Sequence, residues 1–147
     1  MVRLLPGTDL VKGITKVCTD HDITAGIVTS VMGTLQRATL YTAAPRPDLK
    51  GGIGYSEPML IPGPLEFITG QGLLSVLEDG ELFLHLHGLI IYQEMRIYGG
   101  HFGPGGNPVL STIDVAITEA LGVRVPRVFD PETELVLNAP YTVEGDC

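Results

Sequence analysis

A chain of 147 residues, 44% hydrophobic and 18% charged, is long enough to bury a real core and is expected to form one domain over residues 1–147. Its formal net charge is -8 and its nine Lys and Arg residues are scattered without a basic run, which argues against autonomous binding to nucleic acid. No uninterrupted apolar run reaches the roughly 18 residues that a membrane-spanning helix needs.

In chain order, Leu4-Leu5-Pro6-Gly7 leads into a predicted helix with Thr8 or Asp9 as N-cap. Leu10, Val11, Ile14, Val17 and Cys18 follow helical spacing and form its apolar stripe. The helix is expected to end near His21-Asp22, where an imidazole suits the negative end of the helix dipole. Residues 25–32 read as a buried strand broken by Gly33, and residues 35–42 as a second strand, which makes a hairpin. The proline- and glycine-rich residues 43–58 read as a surface excursion, of the kind that also serves as a lid. After Pro62-Gly63-Pro64, residues 65–77 read as a strand interrupted by Gly70 and Gly72, pairing with residues 81–91 through a turn at Glu78-Asp79-Gly80. Residues 108–121 begin strand-like and end with helical character. The tail carries a turn at Asp130-Pro131-Glu132 and a last short strand at 134–137.

Three of the four histidines fall in one stretch, residues 83–106, FLHLHGLIIYQEMRIYGGHFGPGG. His85 and His87 are two apart in a run of strand character, so they project from one face. His101 returns on a second run after a reversal around Tyr92-Gln93-Glu94. In an antiparallel hairpin, a register that sets His101 opposite His85 or His87 gathers all three rings; a slip of one residue sends His101 to the other face. Three imidazoles with an open position suit a divalent metal, most commonly Zn²⁺. Two separate histidines beside an unrelated third is the plainer alternative, and the residue types do not decide between them. Glu66 is the one carboxylate in an otherwise apolar strand, and is either a general base near such an ion or an exposed strand residue. The glycines around His101 lack the Gly-Lys-Ser/Thr ending of a phosphate-binding loop and read as turns.

Blocks in the order LPGTDLVKGI, AGIVTSVMGTLQRATL, LEFITGQG, HLHG and YGGHFG resemble the plant-and-prokaryote conserved (PPC) domain family over about residues 3–137. The resemblance implies an α+β fold, an antiparallel β-sheet core with flanking helices, similar to the fold of acetolactate decarboxylase. It further implies assembly as a homotrimer, with the positions of His85, His87 and His101 holding a divalent ion. The chain departs from the family pattern in having Leu84 before the first histidine, where proline is frequent, and Tyr92-Gln93-Glu94-Met95 in place of an Asp-Gly reversal. The spacing survives, so a different turn with the same register is expected. The Arg-Gly-Arg core of an AT-hook is absent, so a DNA role rests on the family label alone.

These readings lead to a zinc or other divalent-metal protein acting on a small carboxylate or carbonyl compound, as a lyase or hydrolase. The alternative is a DNA-associated regulatory module without catalysis. The N-terminus MVRLLPGTDL turns polar too quickly for a secretory signal, and two cysteines, Cys18 and Cys147, make no disulfide framework, so a cytoplasmic protein is expected. A cupin also begins with His-x-His, but its glutamate would follow sooner than Glu94 does.

Overall fold

A computed structural model describes residues 1–143. Its frame is one six-stranded antiparallel sheet in the order β1-β8-β2-β5-β6-β7. Here β1 is Val2–Leu4, β2 Gly26–Tyr41, β5 Met59–Val76, β6 Leu82–Tyr92, β7 Arg96–Phe102 and β8 Val109–Glu119. One α-helix, α1 (Leu10–Asp20), packs against β1, β6 and β8. The fold is the expected α+β type, with one α-helix among the described residues where several were expected to flank the sheet.

Asp9 caps α1: it accepts a hydrogen bond from the Lys12 backbone N–H, and His21 stands at the other end. Leu10, Val11, Ile14 and Cys18 of the predicted stripe are buried, and Val17 is half-buried. They join a core built from Val28, Val31, Leu35, Leu65, Phe67, Leu86, Ile90, Phe102 and Ile113.

The predicted hairpin at residues 25–42 is instead the single long strand β2, and Gly33 bends it without reversing it. Gly33 has φ +148, and a Cβ there would lie 2.1 Å from the Thr112 carbonyl oxygen. Irregular pairing along β2, between Val28 and Ser30, Gly33 and Leu35, and Leu35 and Arg37, shifts the pleat and increases the local twist. Its buried residues therefore do not alternate strictly: they fall at 26, 28, 31, 35, 38 and 40. One edge of β2 carries β5 along most of its length. The other carries β8 first and then β7, through Leu40↔Phe102 and Tyr41↔His101. The sheet thereby closes on itself through β2, β5, β6 and β7.

Gly70 and Gly88 lie opposite each other in β5 and β6, and neither interrupts a strand. They leave room for the Phe67 ring, which packs on Phe102 with centroids 5.0 Å apart. Residues 109–119 are strand throughout, contrary to the helical ending expected. β8 bonds to β1 on one edge and β2 on the other, and that pairing overrides the helix propensity of Ala116 and Glu119.

The remaining strands are short. β3 (Ala43–Pro45) and β4 (Ile53–Tyr55) form a small ribbon inside the proline-rich excursion. β9 (Val123–Arg124) pairs with β12 (Tyr141–Thr142), so the last strand lies beyond the one expected at 134–137. β10 (Arg127–Asp130) and β11 (Leu135–Asn138) make a hairpin, and their turn is clasped to the excursion. There the Lys50 backbone N–H donates to Glu134 at 2.7 Å, and its Nζ donates to the Pro131 carbonyl at 3.1 Å. Among the described residues no helix is long and apolar enough to cross a membrane. Cys18 is a buried free thiol; Cys147 lies outside the described residues.

Candidate metal centre

β6 and β7 pair in the register that gathers the histidines, with His87 directly opposite His101. The reversal between them is a short 3₁₀ turn, Gln93–Met95, with Glu94 and Met95 at positive φ. The unusual Tyr-Gln-Glu-Met sequence thus changes the turn and preserves the register. His85, two residues from His87, projects from the same face. One potential ligand atom from each of His85, His87 and His101 lies within 4.8 Å of the others. Ring centroids are 4.8 Å apart for His85 and His87, 4.9 Å for His85 and His101, and 5.4 Å for His87 and His101.

The ring nitrogens are in the condition a cation requires. His85 Nε2 and His87 Nε2 are 2.9 Å apart, close to the ~3.3 Å that tetrahedral Zn–N bonds of ~2.0–2.1 Å set between two ligand atoms. His101 is buried, and its Nδ1 has no hydrogen-bond partner, which is costly unless a ligand completes it. Burial pushes the His101 imidazole down to about 4, helped by the positive charges of His85, His87 and Arg127. Burial first, and then the neighbouring charges of His87 and Arg127, lower His85. Both are therefore neutral near pH 7, the state in which an imidazole nitrogen coordinates a metal. The donor set fits a divalent ion.

Aromatic rings close one side of the cluster. Tyr55 from β4 stacks at 5.0 Å and 33° against His101, and Tyr41 from β2 stands 6.2 Å from the same ring. The excursion that reads from sequence as a loop therefore delivers a ring to the site. On the other side, Phe83 lies 6.4 Å from His85, with the Arg127 guanidinium 4.1 Å over its ring. A shallow groove of about 300 Å³, lined by Gln71, Gly88, Leu89, Gly99 and Gly100, leads away from His87.

Glu66 is exposed on β5 opposite Ile91, on the face that carries the histidines. Ile91 is four residues along β6 from His87, roughly 13 Å at strand rise, so Glu66 stands outside the group of three within one chain. His21, at the end of α1, is likewise outside it. Tyr41, Tyr55, Phe83 and Arg127 were not singled out by sequence. Strand pairing places Tyr41 beside His101, whereas no local pattern marks Tyr55 or Arg127.

This is an antiparallel β domain with a three-histidine cluster on its sheet. The family profile described as the Plants and Prokaryotes Conserved (PCC) domain matches residues 1–121, and the chain belongs to that family. Among solved structures it is similar to a metal-containing protein from Archaeoglobus fulgidus, with 25% identity and TM-score 0.74, over 94% of this chain and 90% of that one. It is also similar to a PPC protein from Pyrococcus horikoshii, with 22% identity and TM-score 0.73, over 94% and 88%. A Bacteroides thetaiotaomicron protein named as a candidate DNA-binding protein shares the fold at 18% identity and TM-score 0.77, over 93% and 88%. Two proteins named bifunctional protein GlmU, from Synechococcus strains, are 31% and 30% identical over 90% and 99% of this chain. The chain spans about a fifth of the length of those curated relatives.

Proposed function

We propose that residues 1–147 form one unit that binds a divalent metal through His85, His87 and His101, with zinc as the ion, and acts on a small carboxylate or carbonyl compound. The observation that carries this reading is the convergence of three imidazoles, one with a buried orphan nitrogen, on a single point. The relative from Archaeoglobus fulgidus, which contains metal, supports it. Such an ion supplies Lewis-acid polarisation of a bound oxygen, or a lowered pKa for a bound water. The chain's own part is to hold His101 dry behind Tyr41 and Tyr55, and to leave the exposed side of His87 open toward the groove.

The reading extends to a homotrimer. Leu73, Leu89 and Ile97 are 47%, 44% and 65% exposed on the histidine face, an apolar surface that further copies would cover. Glu66 lies on that face too, and the proposed base is the Glu66 carboxylate of an adjacent copy. A reducing cytoplasm is the proposed compartment, in keeping with the free Cys18 thiol.

The test is metal analysis of protein purified without a His tag. About one divalent ion per chain, lost in His87→Ala, supports the reading; no bound ion in the untagged protein overturns it.

A second reading, a DNA-associated module with no catalytic activity, draws on the name of the Bacteroides relative. It predicts salt-sensitive duplex binding, which the net charge of -8 opposes. No mobility shift at low salt would remove it.

A further inference from the structure

We propose that Arg127 is the anion-binding residue of this site, receiving the carboxylate of a small ligand whose other oxygen faces the three histidines. The inference rests on the metal reading above and adds to it a residue outside the matched family segment, which ends at 121.

The first argument is charge. Imidazole ligands bring no negative charge to offset a divalent ion, and no Asp or Glu joins the cluster among the described residues. A chain of net charge -8 therefore presents a locally positive spot here, and an anion is the ligand that neutralises it.

The second argument is the state of Arg127 itself. Its Nη1 donates to Asn138 Oδ1 at 3.2 Å and its Nη2 donates to the Val136 carbonyl oxygen, both uncharged acceptors. No carboxylate pairs with it among the described residues, whereas Arg46 and Arg96 are paired with Asp48 and Glu94. A guanidinium has five N–H donors, so the two bonds leave three, enough for the two oxygens of a carboxylate.

The third argument is placement. The guanidinium is held 4.1 Å over the Phe83 ring, and Phe83 adjoins His85, so its charge is fixed one ring away from the cluster. The β10–β11 hairpin that carries it is anchored to the same excursion that carries Tyr55, through Lys50 and Glu134. A cation on one side and aromatic rings on the other thus frame the histidines.

The probes are pyruvate, its neutral amide and inorganic phosphate, titrated calorimetrically into zinc-loaded wild type, Arg127→Gln and Arg127→Lys, with zinc content and melting temperature measured on each. The expected result is pyruvate binding weakened tenfold or more in Arg127→Gln and less in Arg127→Lys, at equal zinc content, with the amide unaffected by either substitution. Zinc-loaded Arg127→Gln that binds pyruvate as wild type does overturns the inference. So does a zinc-loaded wild type that ignores pyruvate at millimolar concentration or prefers phosphate. A wild type that takes up no zinc overturns the metal reading, and the inference falls with it.

Discussion

His87 and His101 face each other as a directly opposed pair across β6 and β7, with ring centroids 5.4 Å apart. The pair makes the cluster a property of strand register, since a slip of one residue would send His101 into the core side of the sheet. Either ring's removal should therefore cost a whole ligand. His87→Ala and His101→Ala are each expected to weaken zinc binding by at least ~100-fold, more than loss of a supporting hydrogen bond does. Glu66→Gln is expected to leave zinc content unchanged, because it stands outside the group of three within a chain. Competition against a chromophoric chelator measures all three, and unchanged affinity in His101→Ala would refute the assignment.

The metal-stripped protein should lose stability as pH falls from about 6.5 toward 4. The unfolded chain takes up a proton at an ordinary histidine pKa near ~6.5, while buried His101 resists until about 4. Its folded pKa is thus lowered, so its contribution is fully present above the unfolded value and disappears as the pH drops through this window. His101→Gln has nothing to titrate there, and its melting temperature should depend less steeply on pH over that interval. Identical slopes for the two proteins would contradict the burial of this ring.

Gly88 and Phe67 test how tightly the floor beneath the histidines is packed. A Cβ on residue 88 would lie 2.4 Å from Phe67 Cζ, so Gly88→Ala forces the ring to move. Overpacking of this kind costs ~1–3 kcal/mol, and Phe67→Leu in the same background should recover part of it. Urea titrations of the two single variants and the double variant give the coupling; additive effects would mean that the ring and the glycine are independent.

Asn107 joins the segment after β7 to both β2 and the start of α1. Its Oδ1 accepts the Thr39 N–H at 2.8 Å, its Nδ2 donates to the Gly103 and Gly105 carbonyls, and its backbone N–H donates to Asp9. It is fully buried, so Asn107→Ala strands several backbone groups and should cost ~2–3 kcal/mol. Asn107→Asp retains the acceptor but loses the Nδ2 donors, and should also destabilise. Thermal melts that match wild type for both would show that water replaces these bonds.

The histidine hairpin was legible because its signal is local: the His-x-His spacing fixes a face, and a reversal of the right length fixes the register. The cap at Asp9 and the apolar stripe of α1 were legible for the same reason. β2 was not, because Gly33 carries the signature of a turn and only pairing with β5 and β8 on its two edges keeps the chain extended. The helical ending read for residues 108–121 misled likewise, since the bonds that hold β8 come from distant residues. Tyr55 and Arg127 reach the cluster from segments of 43–55 and 127–138, whose sequence does not encode that they clasp one another. That no carboxylate joins the cluster among the described residues also follows from register, which sets Glu66 opposite Ile91.

The clasp itself can be tested apart from global stability. Glu134 accepts the Lys50 backbone N–H, and beside it Gly51 lies so close to Thr133 that a Cβ would meet the Thr133 carbonyl at 2.8 Å. The bond is exposed, so Glu134→Ala should change the unfolding free energy by no more than ~1 kcal/mol. It should nevertheless free the β3–β4 ribbon, and with it the Tyr55 ring against His101. Hydrogen exchange at residues 52–55 is then expected to accelerate several-fold in Glu134→Ala, while exchange in β6 and β7 stays at the wild-type rate. Glu134→Gln, which keeps an acceptor oxygen, should fall between the two. Equal protection of 52–55 in all three proteins would mean that Tyr55 is held by its contacts with Tyr41 and His101 alone, and that the excursion and the β10–β11 hairpin reach the site independently.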